Sequence, residues 1–389
     1  MIYFDNNSTT RVFESTVEAM VPYLTQQFAN PASAVAHVSG VTRVLQTQKS
    51  NLAKALGADS GDQFIVTSGA TESNNLALAG AARANRERRH IVASAVEHPS
   101  ILETCEQLRK EGYRITHVPV DGQGIVDVDA LINALSPETL LVSVMLANNE
   151  TGVIQPVGEI AAAVKRHDPL VLVHTDATQA VGKITVDLSG PLDGVDCLSL
   201  SAHKFHGPKG TGALFVRDCD LLAPLLHGGG QQRGLRAGTE NPGAVVGMVT
   251  ALTDLLAKSS GFEDVARLRC ELESGMTVIH PGAFVLGASA DRLPTTVNIC
   301  LPDVDAEEFV DLMATKSIAI SAGSACSYGA RKPSYVALAQ GLSYEQAKSC
   351  IRLSLSIEST EQEVDAFLQA FAESLRKLAH FRHPKRETA

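Results

Sequence analysis

Nothing in these 389 residues spells out a disulfide framework: the seven cysteines, at 105, 197, 219, 270, 300, 326 and 350, form no CxxC pair. Their odd number fits a reducing compartment better than a set of structural bridges. Apolar runs are short as well, and none approaches the roughly 20 residues needed to cross a bilayer. The opening residues, MIYFDNNSTT, lack the basic and apolar regions of a signal peptide. These absences set the expectation of a cytoplasmic protein with no membrane partner. Positive charge is in deficit, with 33 Lys and Arg against 43 Asp and Glu and a net charge of −10. That balance argues against direct nucleic-acid binding or an anionic-membrane surface and leaves small polar ligands as the better candidates. There is no internal repeat and no low-complexity segment. With 44% hydrophobic residues a sizeable core is available, and the length is more than one core usually holds, so two domains are expected.

What is present is an alternation of strand-like and helix-like segments. After a short N-terminal strand, 5–10 supply capping and turn chemistry, a helix is expected over 12–23, and the loop at Asn30 to Ser33 follows. A helix over 41–56 precedes a strand at 64–67, which runs into Ser68-Gly69-Ala70-Thr71-Glu72-Ser73 and another helix. Free amides and the positive end of the helix dipole at Ala70 and Thr71 suit a phosphate. A plain capping turn reads the same way, and no Walker lysine follows, which disfavours a nucleoside triphosphate. Further strands are expected at 91–96, 115–120, 140–146 and 170–174, with helices at 99–111, 128–135 and 157–166 between them. This order implies an α/β fold with a mainly parallel sheet covered by helices on both faces. His98, Asn148, Asp176 and Gln179 all fall just past strand C-terminal ends, the edge where such sheets bind ligands.

From 259–261 onward the pattern changes to a smaller α+β unit, with helices near 264–278 and 305–316, strands at 284–286, 296–301 and 318–321, and a last helix opened by a Thr360/Glu363 capping box. Val364, Phe367, Leu368, Phe371, Leu375 and Leu378 fall on one face of that helix. The expected division is 12–258 for the large domain, and 1–11 with 259–389 for the small one.

The stretch from Val195 to Phe215, VDCLSLSAHKFHGPKGTGALF, delivers His203 and Lys204 from an apolar run into a glycine-rich turn. A partly desolvated lysine there suits Schiff-base chemistry with an aldehyde, and a lysine in a surface hairpin is the other reading of the same segment. Lys204, a phosphate-binding helix start, the Asp176 carboxylate and the His98 ring together form the set that pyridoxal phosphate needs. The motifs DNNSTT, SGATESNN, VEHPS, ANNETG, HTDATQAVG, SAHKFHGPKG, RAGTEN, SAGSACS and RLSLS run nearly end to end. With them the sequence resembles the class V aminotransferases, specifically the cysteine desulfurases of NifS/IscS type.

That resemblance implies the pyridoxal-phosphate fold of type I and a homodimer that takes sulfur from L-cysteine, releases L-alanine and passes a persulfide to a protein acceptor. It also implies roles. Lys204 would carry the cofactor, Asp176 would pair with the ring nitrogen, Gln179 with the ring hydroxyl, and His98 would stack on the ring. Ala70, Thr71, Ser201 and His203 would hold the phosphate, joined by Thr239 from the other subunit. Asn30, Asn148 and Arg352 would bind the substrate carboxylate, and Cys326, in a run of small residues, would be the persulfide-forming thiol. Acceptors for such enzymes include iron–sulfur scaffolds and tRNA- or DNA-thiolation proteins. The chain departs from the family after the cysteine, where Arg331 and Lys332 stand before Pro333 in place of the usual Leu-Glu.

Rival readings within the cofactor class are a selenocysteine lyase and a kynureninase-like or aminotransferase activity, which has no use for Cys326. A catalytically idle scaffold is a weaker rival, since no proposed chemical residue is missing. Outside the class, His203 and His206 with His174 and Asp176 could ligate a metal, a reading weakened by the cation of Lys204 between the two histidines. No metal is therefore expected.

Overall fold

The computed structural model describes residues 1–323 and 333–382. Its first strand, β1 (Ile2–Tyr3), lies apart from the main sheet, which is built from β2 (Phe64–Thr67), β3 (His90–Ser94), β4 (Arg114–Val118), β5 (Thr139–Ser143), β6 (Leu172–Asp176), β7 (Cys197–Ser201) and β8 (Gly212–Val216). The order across this sheet is β2-β8-β7-β6-β5-β3-β4. Neighbours from β7 through β6, β5 and β3 to β4 are parallel, whereas β8 pairs antiparallel with both β7 and β2. The architecture is the α/β sheet expected from the alternating segments.

Burial explains why these strands read as near-continuous apolar runs. Successive residues of β8 enter two different cores: Ala213 and Phe215 face one, Leu214 and Val216 the other. β3 does the same with Val92 against Ile91 and Ala93. Period-two side chains with apolar residues at every position need cover on both faces. Helices Ala70–Ala84 and Pro99–Lys110 cover one face through Leu76, Leu78, Ile101 and Leu108; helices Val41–Leu56, Val157–His167 and Pro242–Ala257 cover the other. Each fully buried side chain of the size of Phe64 or Phe215 contributes about 1.5–3 kcal/mol.

The second sheet comprises β9 (Phe284–Val285), β10 (Thr296–Cys300), β12 (Ser321–Ala322) and β13 (Cys350–Ser354), in the order β12-β13-β10-β9 and antiparallel throughout. Between β10 and β12 the chain forms β11 (Ile318–Ala319), which pairs in parallel with β1. The single strand expected over 318–321 is thus two, because the chain changes partner at Ile320. Helix Glu361–Arg382 carries the capping box, with Thr360 N–H to Glu363 at 3.0 Å and Glu363 N–H to Thr360 at 3.3 Å, and buries Val364, Phe367, Phe371 and Leu378. The expected boundary at 259–261 falls on the short turn Ser259–Gly261. One apolar cluster nevertheless runs without a break from Leu52 and Phe64 to Leu268, Phe309 and Phe367.

Two departures from the expected strands shape the site. β5 stops at Ser143, short of the expected 146, because Met145 N–H turns to the Glu97 carboxylate at 2.7 Å. β8, which the alternation did not announce, returns from the glycine turn and brings Gly212 against the β2 turn. A Cβ at Gly212 would lie 2.7 Å from the Cα of Gly69, so only glycine permits that approach.

Candidate active site

The C-terminal ends of β2, β3, β5, β6 and β7 open onto one cavity of about 590 Å³. Among the residues assigned to a site from sequence, Ala70, Thr71, His98, Asp176, Gln179, Ser201, His203, Lys204 and Arg352 line it. Three do not. Asn30 is exposed and accepts the Ala32 N–H at 3.0 Å as a turn residue, and Thr239 is exposed in the 236–241 segment. Asn148 is buried beneath the loop after β5, where its Oδ1 accepts the N–H groups of Glu150 and Thr151, both at 2.9 Å, and its Nδ2 donates to the Val96 carbonyl at 3.0 Å. Its neighbour Asn149 faces the cavity instead, with a buried carboxamide oxygen that has no hydrogen-bond partner among the described residues. Cys326, Arg331 and Lys332 lie outside the described residues.

The N-terminal segment is the contribution that the sequence reasoning assigned to capping alone. Asn7, Ser8 and Thr9 line the cavity after the chain has crossed from β1, held by Asn6 N–H to Ser354 O at 3.2 Å and Asn7 N–H to Ser354 Oγ at 2.8 Å. The Lys204 ammonium donates to the carbonyls of Asn7 at 2.5 Å and Ser8 at 2.7 Å. Lys209 also lines the cavity but is exposed, whereas Lys204 is half-buried. The position of Lys204 follows from its place: β7 ends at Ser201, and the short turn Ala202–Lys204 aims the lysine across the sheet edge.

Asp176 ends β6 and is almost fully buried, with each oxygen held by one donor: Asn74 Nδ2 at 2.7 Å and Thr178 N–H at 2.9 Å. Asn74 also donates to Ser100 Oγ at 2.8 Å, and Ser100 meets Nδ1 of His98 through both its hydroxyl, at 2.8 Å, and its N–H, at 3.1 Å. A backbone N–H can only donate, so His98 Nδ1 is an acceptor and Nε2 carries the ring proton. Burial, assisted by Lys204 and opposed by Asp176, holds His98 below the ordinary histidine range and therefore neutral. His203 is pushed down to about 4 by burial and the nearby Lys204, Lys209 and Lys183. Its Nδ1 lies 3.2 Å from Thr9 Oγ1.

Helix Ala70–Ala84 begins at the cavity with no side-chain cap from the described residues on its first amides. Gly69 before it has φ 148°, a left-handed value that favours glycine. Glu72 in the first turn would oppose an anion there. Burial works to raise its carboxyl, but hydrogen bonds from Arg236 at 2.8 Å and the Ser68 N–H at 2.7 Å outweigh this and leave it below the ordinary value. The Arg236 guanidinium also neutralises it. Arg352, on β13 and almost fully buried, donates to Asp5 and Ser8 Oγ, both at 2.8 Å, and to the Asn149 carbonyl at 3.0 Å, while its Nε has no partner among the described residues.

The alternative metal set is not assembled. His174 is enclosed between Ser143 and Ser199, both at 2.9 Å, and burial lowers it to about 4; His206 is stacked on Phe13 at 4.1 Å with Nδ1 on the Arg11 carbonyl. Among the described residues no group of three or more His, Cys, Asp or Glu side chains is placed to hold a metal ion. No helix of the described residues is long and apolar enough to cross a membrane.

Comparison with known proteins places this geometry. The profile of the family described as aminotransferase class-V matches residues 2–367. The cysteine desulfurase NifS of Azotobacter vinelandii is 40% identical over 369 residues, covering 95% of this chain and 91% of that protein. Among solved structures, a NifS-like protein superposes with a TM-score of 0.90 at 36% identity, covering 97% of this chain and 99% of its own. SspA in complex with cysteine gives a TM-score of 0.79 at 32% identity, covering 92% and 100%.

Proposed function

The chain belongs to the class-V aminotransferase family and is a cysteine desulfurase of NifS/IscS type, and on that premise we propose that its sheet-edge cavity holds pyridoxal phosphate and L-cysteine. One observation carries this reading. A half-buried lysine, a doubly anchored carboxylate, a neutral histidine and an uncapped helix start line one cavity. The donor set suits the cofactor: amides of Ala70 and Thr71 with Ser201 and His203 for its phosphate, Asp176 for its ring nitrogen, Gln179 for its ring oxygen, His98 for its ring face and Lys204 Nζ for its aldehyde carbon. When bound, pyridoxal phosphate supplies an electron sink for the pair released at the substrate α-carbon.

The chain's own groups perform the rest. Lys204 Nζ, steered by two backbone carbonyls, is placed to take and return the α-proton. His98 presents its Nε2 proton to the same space. Arg352 receives the substrate carboxylate through its guanidinium, and the cavity-lining Asn149 serves beside it through its Nδ2 donor, in the place that sequence gave to Asn148. Cys326 acts as a thiolate on the substrate sulfur: an S–S bond forms, the carbon–sulfur bond breaks with its electron pair left on the substrate carbon, and a proton delivered there completes L-alanine. The product on the enzyme is a Cys326 persulfide, which an acceptor protein removes.

The same reading makes the protein a cytoplasmic homodimer with the 12–258 and 1–11/259–389 domain division. Val17, Val21 and Leu24 form an exposed stripe on helix Glu14–Thr25, continued by Phe28, Val35 and Val38, the last 90% exposed. An apolar surface of that kind marks an interaction site, and a second copy covering it would allow its Thr239 to join the phosphate donors. The acceptor belongs to the iron–sulfur, tRNA- or DNA-thiolation class, and capture under non-reducing conditions after L-cysteine loading would identify it. The functional test is the visible absorption of purified protein. A band that L-cysteine perturbs, with release of alanine and sulfide, is expected; a colourless protein without this activity after pyridoxal phosphate is supplied would contradict the proposal.

A further inference from the structure

Lys183 lies behind the cavity lining, against Gln179 and Asn7, and has no role in the reading above. It sits four residues past Gln179, almost fully buried, and no carboxylate of the described residues forms an ion pair with it. Its ammonium donates to Gln179 Oε1 at 2.8 Å and to Asn7 Oδ1 at 3.4 Å. Both amides are thereby oriented. An ammonium has no acceptor capacity, so each carboxamide must turn its oxygen toward Lys183 and its NH₂ away. Gln179 Nε2 then donates to the Asn7 carbonyl at 3.0 Å, the same oxygen that accepts from Lys204, and Asn7 Nδ2 donates to Thr296 Oγ1 at 3.0 Å and the Asn149 carbonyl at 3.2 Å. One N–H of Gln179 is left for the cavity, and that side chain can present only a donor there.

We propose that Lys183 is a positioning residue of the desulfurase reaction: it fixes the Gln179 and Asn7 carboxamides so that Gln179 offers a donor to the cofactor's ring oxygen and the Asn7 carbonyl steers Lys204. This rests on the functional reading above. It also gives the buried charge a purpose. Burial, with Lys204 and Arg352 nearby, lowers Lys183 to about 7, so near neutrality it supplies a positive charge that rises as pH falls. The groups facing it are Lys204 and His203 on the turn after β7, His206 beyond them and Arg352 on β13. The acids of the site are engaged elsewhere: Asp5 by Arg352 and Ser321, Asp176 by Asn74 and Thr178. A cation so placed disfavours protonation of the nitrogen of Lys204, and so does a donor that draws charge from the ring oxygen.

The test compares Lys183→Met and Lys183→Arg with the parent holoenzyme. The readouts are the pH midpoint of the visible band, steady-state kinetics, and the pH dependence of Lys204 acetylation measured by mass spectrometry in cofactor-free protein. In Lys183→Met both midpoints should rise, by up to about one pH unit, the size of one full unit charge removed a few ångströms away in a partly screened site, and by less where Lys183 is only partly charged. Its kcat should fall about fivefold or more with KM little changed, as loss of one oriented hydrogen bond gives. Lys183→Arg should stay near the parent. Unmoved midpoints in Lys183→Met, or equal shifts in both variants, would overturn the proposal, since equal shifts are what a merely space-filling lysine would give. If Lys183→Met does not fold, Lys183→Gln, which keeps amide hydrogen bonding without charge, is judged by the same criterion. A parent lacking any visible band would count against the cofactor reading instead, while the acetylation profile still decides the role of Lys183.

Discussion

Replacing Glu97 with Gln should make the protein more stable in mild alkali, and the size of the effect follows from where Glu97 lies. Its side chain is fully buried after β3, Oε1 accepts from Ser94 Oγ at 2.6 Å and Met145 N–H at 2.7 Å, and Oε2 has no partner among the described residues. Burial raises the carboxyl to about 8, against hydrogen bonds that lower it, with Asp176 adding to the rise. A folded pKa above the unfolded value means that the native state holds the proton more tightly, so stability from this group is full below about pH 4 and is lost as pH rises through about 8. At about 1.4 kcal/mol per unit, the parent should lose about 3 kcal/mol between roughly pH 5 and pH 8 that Glu97→Gln does not lose. Gln keeps an oxygen for Ser94 and Met145 and brings no charge. The assay is urea denaturation of both proteins across this range, read as the difference between them at each pH. Parallel pH profiles for parent and variant would refute the reasoning, and would mean that Glu97 is ionised in the native protein or reached by water.

Cys326→Ser should keep the visible band and its response to L-cysteine while forming no persulfide; undiminished persulfide by mass spectrometry would remove Cys326 from its role. Asn149→Ala should weaken L-cysteine capture about tenfold through loss of a hydrogen bond to a charged group. Asn148→Ala should instead lower thermal stability, because it strips the acceptor from two buried N–H groups; the reverse pattern in KM and melting temperature would restore the sequence-based assignment. Leu24→Glu combined with Phe28→Glu should yield a monomer by light scattering with reduced cofactor retention, and a protein that stays dimeric would place the subunit interface elsewhere.

The sheet was legible because β3, β5 and β6 are covered on both faces and advertise this as apolar runs at regular distances from helices. β8 was not, because a glycine turn and a reversal of direction carry no periodic signal, although its pairing with β2 sets the Gly69 turn. Residues fixed by their own motif, such as Lys204 after β7 and Asp176 at the end of β6, were legible for the same local reason. Asn7, Asn74 and Lys183 were not singled out, since each reaches the site only through tertiary contacts: Asn7 by crossing from β1 to β13, Asn74 from within a helix, Lys183 past a turn. Choosing between adjacent Asn148 and Asn149 needs the loop's handedness, which alternation of residue types does not carry.

The central claim, that Lys204 carries the cofactor in this cavity, is tested most directly by borohydride reduction of the purified protein followed by peptide mass spectrometry. The account predicts a cofactor adduct on Lys204 alone, absent from Lys204→Ala and retained in Lys209→Ala. An adduct on Lys209 or Lys183, or one that survives in Lys204→Ala, would contradict it.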